Sequence, residues 1–169
     1  AVFHPVITLM NRDLIRKGQP FEFYIDGITK KSIEVIKDVD KEMRYVSEAL
    51  GITTLSVIDW LASRYGLTGD DPYLMIRSNP TYCGIMSPDT LDHRYLWEDI
   101  PTGLVPVSSI GKALNIETRV IDSLIDLADE TQGRDFRTEG RTLESLGLSS
   151  LFLMKDLRDI IFPDKIAVA

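Results

Sequence analysis

The chain has 169 residues, 44% of them hydrophobic and 27% charged, with 26 acidic side chains against 19 basic ones and a formal charge of −7. That length supports a hydrophobic core without a disulfide or metal to hold it, while the acidic balance excludes a general nucleic-acid binder and speaks against an anionic membrane surface. Cys83 is the only thiol, which excludes an intramolecular disulfide and thiolate zinc sites and points to a reducing, cytoplasmic compartment.

The first ten residues are largely apolar but carry no basic leading segment and no cleavage pattern, so a signal peptide is not expected. The abrupt start at Ala1-Val2-Phe3, without Met, creates the expectation that something upstream has been removed. His4-Pro5 places a proline at a first helical position, and Ile7, Met10, Leu14 and Ile15 follow on one side, so a helix opens the chain. Residues 21–25 read as a short strand ended by the Asp26-Gly27 turn, although no partner strand is visible.

Between Thr29 and Leu50, Ile33, Ile36, Val39, Met43, Val46 and Leu50 recur at spacings of three and four, which predicts an amphipathic helix of about six turns. Thr29 suits its N-cap and Gly51 its stop. A second helix is expected over 54–65, with Gly66 ending it. Residues 66–103 are poor in periodicity and rich in Pro, Gly, Asn and Asp, a texture that builds a site or wraps a partner. Helices follow over 106–114, 118–131, 142–146 and 149–161, and Pro163 forbids continuation of the last. The longest run without Asp, Glu, Lys or Arg is Ile100–Gly111, short of the about 20 apolar residues that a spanning helix needs. The fold class is all-α, in a single helical domain over 1–169, and the two long amphipathic helices leave room for a homodimer face.

Two histidines are present. His4 lies at a helix N-terminus, where the positive end of the dipole disfavours imidazolium. Its ring either accepts a proton, given a carboxylate to orient it, or merely caps the helix. The run Asp92-His93-Arg94-Tyr95-Leu96-Trp97-Glu98-Asp99-Ile100-Pro101 concentrates acids, an arginine and aromatics. On a helical turn Arg94 and Glu98 form a plain surface pair, and Asp99 suits a cap or turn, so structural readings stay open here.

Val2-Phe3-His4-Pro5, the run from Asp92 to Pro106, Gly133-Arg134-Asp135-Phe136 and Glu139-Gly140-Arg141-Thr142-Leu143 together resemble the C-terminal helical domain of the octopine/nopaline (opine) dehydrogenases. The motifs fall in that family's order along nearly the whole chain. The resemblance implies a multi-helix fold of the 6-phosphogluconate-dehydrogenase C-terminal type. It also implies a Rossmann domain upstream, which binds NAD or NADP; this chain has no glycine-rich dinucleotide fingerprint, so no cofactor-binding residue is expected within it. The implied reaction joins an amino acid to a 2-oxo acid through an imine that NAD(P)H reduces.

By the same resemblance His4 is the general acid/base, Asp99 orients its ring and supports the imidazolium, and Arg94 holds a substrate carboxylate in its planar fork. His93 takes a structural role, and Trp60 and Trp97 are expected in the core or pocket wall. Arg134, Asp135, Glu139 and Arg141 either brace the helices or meet the other domain. Cys83 has no histidine partner for a nucleophilic role, and no metal site is expected. Two other readings stand beside this one: the helical domain of another two-domain NAD(P)-dependent dehydrogenase, or a non-catalytic interaction or dimerisation module.

Overall fold

A helix that is apolar on all sides belongs in the middle of a bundle, and the segment after His4 is one. In the computed structural model, which describes residues 2–148, α1 (Phe3–Met10) buries the five successive residues Pro5 to Leu9. It packs against α3 (Lys30–Ala49), α6 (Arg94–Trp97) and α8 (Arg119–Gln132). The helix does not run on to Ile15 as expected. It breaks at Asn11, whose side-chain amide donates to the carbonyls of Ile7 and Gly27, and α2 (Arg12–Arg16) then starts on a new axis.

The long helix α3 forms where periodicity places it. Thr29 accepts from the Ser32 N–H while Ser32 accepts from the Thr29 N–H, which satisfies two of the orphan donors at its start. Its stripe of Ile33, Ile36, Val39 and Val46 faces the core. α4 (Val57–Tyr65) begins later than expected because Ser56, rather than Thr54, caps it, and Gly66 in the left-handed region ends it. α8 ends the same way at Gly133. The two carboxylate oxygens of Glu42 on α3 accept from the N–H groups of Val120 and Ile121, each at 2.9 Å, tying the start of α8 to α3.

The aperiodic stretch 66–103 is built from short helices, each started by a side chain. Asp71 caps α5 (Pro72–Arg77), Asn79 caps a 3₁₀ turn (Pro80–Tyr82), and His93 caps α6. A π-helical turn (Ile100–Leu104) then leads into α7 (Val105–Ala113), and Asp99 sits at its entrance. Pro101 inside that turn has no N–H to donate, which disfavours the ordinary α ladder there.

α9 (Phe136–Glu139) is a single turn capped by Asp135. The helix expected over 142–146 is a capped turn instead. Thr142 and Ser145 exchange hydrogen bonds between side chain and backbone, and Leu148 N–H closes onto Leu143 with Gly147 at φ +71°. The strand expected over 21–25 reduces to one antiparallel bridge, Glu22 with Met86, after which the chain turns back from Glu22 to Gly27. Gly27 is packed against the Phe23 carbonyl, the Phe21 ring and Ile7, where any side chain would collide. Among the described residues there is no sheet, and no helix is long and apolar enough to cross a membrane. The expected helix over 149–161 lies outside the described residues.

Candidate functional site

The first turn of α1, the 22–27 turn and the α6–π junction converge on one imidazole. His4 Nδ1 lies 2.7 Å from Asp99 Oδ2, and His4 Nε2 lies 2.8 Å from the Tyr24 hydroxyl. The ring is also stacked on Tyr95, with centroids 4.0 Å apart and planes 16° from parallel. Three side chains from two separate segments therefore fix both the position and the plane of His4.

The hydrogen-bond chemistry assigns the tautomer. Burial alone would raise the Asp99 carboxyl, but the hydrogen bond from His4 and the positive charges around it, Arg94 among them, hold it below the usual range. A carboxylate only accepts, so Nδ1 carries the hydrogen and donates to Asp99. Burial pushes the Tyr24 hydroxyl above the usual phenol range, so it keeps its proton and can donate to an unprotonated Nε2. In that tautomer the ring offers a lone pair at Nε2 with a carboxylate behind it, the arrangement of a general base. His4 and Asp99 side chains are 30% and 19% exposed, enough for Nε2 to be reached and enough burial to strengthen the pair.

His4 opens onto a cleft of about 710 Å³ between α1, α3 and α4. Its walls are largely apolar and aromatic, with Phe3, Leu55, Val57, Trp60 and Tyr82 among them. Tyr24 stacks on Tyr82 at 4.2 Å, and Tyr65 meets Tyr82 edge-on at 5.3 Å, so the aromatic wall continues from the His4 partner inward. Asp40 and Arg44, one turn apart on α3, bring charge into this cleft. Burial raises the Asp40 carboxyl, against the Val57 N–H and the Arg44 charge, which favour its ionised form. A slightly larger depression of about 810 Å³ lies where α7 meets the start of α8, and none of His4, Tyr24 or Asp99 lines it. The cleft beside His4 is therefore the one with chemistry at its mouth.

Arg94 does not line the cleft. Its Nε donates to Glu98 at 2.9 Å, with the two side chains 61% and 45% exposed. It precedes Tyr95, the residue stacked on His4, and its charge reaches Asp99. His93 caps α6 and meets Tyr95 edge-on, with ring centroids 4.4 Å apart. Trp60 lines the cleft, but Trp97 is 46% exposed and belongs neither to the core nor to the wall, because the single turn of α6 spends its inward position on Leu96. Arg134 pairs with Glu139 and lies over Phe136, and Asp135 caps α9, so these residues brace one helical turn. The Arg141 N–H donates to the Pro101 carbonyl at 2.9 Å. Cys83 is exposed near Glu22.

Tyr24, Tyr95, Asp40 and Arg44 escape a reading of the sequence alone. Tyr24 falls in the segment that resembles a strand, and Tyr95 is hidden among the charges of its motif. For Asp40 and Arg44 a signal exists: an acid and a base four apart, bordering the apolar stripe of α3 instead of its solvated face.

A family profile described as NAD/NADP octopine/nopaline dehydrogenase, alpha-helical domain, matches residues 1–131. Opine dehydrogenase of Arthrobacter sp. (strain 1C) is 42% identical over 151 residues, covering 89% of this chain and 42% of that protein. Vitopine synthase of Allorhizobium ampelinum is 26% identical over 148 residues, covering 87% of this chain and 41% of that protein. A solved structure of octopine dehydrogenase with NADH and L-arginine superposes with a TM-score of 0.73 at 22% identity, over 90% of this chain and 46% of that one. At that identity the likeness establishes the fold. The chain spans less than half the length of the relatives it matches.

Proposed function

The chain belongs to the octopine/nopaline dehydrogenase α-helical-domain family, and from that premise we propose that it is the substrate-binding and catalytic half of an opine-type dehydrogenase. The reaction in this proposal is the reductive condensation of an amino acid with a 2-oxo acid. The observation that carries it is the contact between His4 and Asp99, 95 residues apart and 2.7 Å from atom to atom, at the mouth of an apolar cleft.

The chemistry asks for a movable proton and a fixed cation. The amine nitrogen adds to the 2-oxo carbon, leaving a positive nitrogen and a negative oxygen. His4 takes a proton from that nitrogen through Nε2 and returns it to the oxygen. A second proton, drawn from solvent through the same ring, lets the hydroxyl leave as water and gives the iminium. Asp99 stabilises the imidazolium each time it forms and keeps Nε2 aimed at the reacting atoms. Tyr24, now donating to Nε2, yields that position to the substrate or passes the proton on. Arg94 grips a substrate carboxylate, exchanging its exposed contact with Glu98 for a bidentate one.

Among the described residues no strand leads through a glycine-rich turn into a helix, the arrangement that cradles a dinucleotide in a Rossmann fold. In this proposal the reduced cofactor, NADH or NADPH, would be bound by a Rossmann domain in the rest of the full-length protein and would supply the hydride that reduces the iminium. Steady-state assays of the full-length protein with NAD(P)H, an amino acid and a 2-oxo acid test the assignment. Turnover is expected, and His4→Ala should lower kcat by roughly 10²–10⁴-fold while leaving KM nearly unchanged. The chain of residues 1–169 by itself should be inactive. Turnover by that chain alone, or none by the full-length protein with any such pair, would overturn the proposal.

A further inference from the structure

An opine carries two carboxylates, one from each substrate, and Arg94 accounts for one of them. From the cleft we infer that Arg44 is the anchor for the second, the α-carboxylate of the amino-acid substrate. The inference rests on the opine-dehydrogenase reading above and adds to it a residue that the motifs do not contain.

The placement of Arg44 is unusual for an arginine on an amphipathic helix. It projects from α3 into the wall of the cleft that His4 enters, among Met43, Leu55 and Trp60. Its Nε is shut off from water and has no hydrogen-bond partner. A guanidinium is always charged and carries five donors, so a buried donor left without an acceptor is held at a loss. Arg44 lines the cleft, so a carboxylate arriving there reaches its guanidinium, and a small turn of the group gives Nε the acceptor that the protein withholds, in the planar geometry that a guanidinium matches. The apolar walls around it lower the local dielectric and strengthen that contact.

Asp40 decides which of the two substrates this end of the cleft suits. It lies one turn before Arg44 on the same helix, lines the same cleft and already uses one lone pair on the Val57 N–H. Its remaining lone pairs face a space with a guanidinium beside it. An amino acid arrives with a carboxylate and an amino group on one carbon and matches this pair of opposite charges. A 2-oxo acid has an anion to offer Arg44 but nothing for Asp40. Arg94, outside this cleft and paired with Glu98 near Asp99, is left to the 2-oxo acid.

The two arginines are therefore separable by experiment in the full-length protein. Arg44→Met keeps an unbranched stem of similar reach and removes the charge. It should raise KM for the amino acid roughly ten- to a hundredfold and leave KM for the 2-oxo acid within about twofold. Arg44→Lys should recover part of the loss, and Arg94→Met should show the reverse pattern. Calorimetric titration with each of the twenty protein amino acids, in the presence of NADH, reads binding without turnover. Amino-acid binding should be lost in Arg44→Met and kept in His4→Ala, whose inactivity reports on the catalytic reading separately. Unchanged amino-acid KM and binding in a folded Arg44→Met protein would overturn the assignment while leaving the opine reaction intact. So would an equal rise in KM for both substrates, or no binding of any amino acid by the wild type. Loss of binding in Arg44→Met alongside a wild type that condenses no substrate pair would instead keep Arg44 and remove the proposed reaction.

Discussion

Replacing Asp99 with asparagine isolates the charge behind His4 from its shape. The carboxamide oxygen can still accept from Nδ1–H, and Tyr24 and Tyr95 still hold the ring at 2.8 Å and 4.0 Å. The lost element is the negative charge that supports the imidazolium once His4 has taken its proton. Hydrogen bonds to a charged group contribute about 1.5–3 kcal/mol, and the 2.7 Å contact between two part-buried side chains falls in that class. Lost only in the charged state, that amount lowers kcat roughly 10- to 150-fold. KM should barely move, since in this mechanism Asp99 touches the ring and not the substrate. Steady-state kinetics of the full-length variant, beside its thermal denaturation, provides the assay. A kcat within about threefold of wild type in a folded variant would refute the reasoning, because the charge behind His4 would then play no part in the chemistry.

Arg94→Ala should leave thermal stability close to wild type, as expected for an exposed pair, yet lower kcat/KM by roughly thirty- to several-thousandfold; a near-normal specificity constant would remove Arg94 from the site. Gly27→Ala should cost about 1–3 kcal/mol, read as a lowered urea midpoint, because its Cβ would meet the Phe23 carbonyl, the Phe21 ring at 2.7 Å and Ile7 at 3.0 Å. Stability should also depend on Asp99 in acid. Its folded-state carboxyl lies below the unfolded value, so its contribution is complete above the unfolded value of about 3.9 and is lost as pH falls through the lower folded one. The difference in urea midpoint between wild type and Asp99→Asn should accordingly narrow below about pH 4, and a gap that stays constant down to pH 2 would contradict the linkage.

Legibility from sequence followed element length. α3, α4 and α8 are long enough for three-and-four spacing to accumulate, and their ends carry local chemistry at Thr29, Gly51, Gly66 and Gly133. The one-turn helices at Arg94 and Phe136 are too short for periodicity. They exist because His93 and Asp135 supply the cap and the core accepts Leu96 and Phe136. The short helix expected over 142–146 failed in the opposite direction: Thr142 and Ser145 cap a turn there, but Gly147 closes the segment after one turn. The proximity of His4 to Asp99 is invisible to spacing and is expected only from the family resemblance. Arg44 was missed because a charged residue in a stripe-bearing helix is read by default as solvated, whereas α3 is flanked by a cleft on that side.

The burial of α1 has a mechanical consequence. A helix enclosed by α3, α6 and α8 cannot open unless the core opens, so its last amides, at Leu9 and Met10, should be among the slowest in the chain to exchange with deuterium. His4 stands on the first turn of that helix and is clamped on three sides. In the proposed reaction the proton carrier is thus fixed to a helix in the middle of the fold, while Arg94 rides on a single turn at the surface. Under that reading any closure around substrate moves Arg94 toward a stationary ring, and the alignment of the imidazole is set at folding, before either substrate arrives.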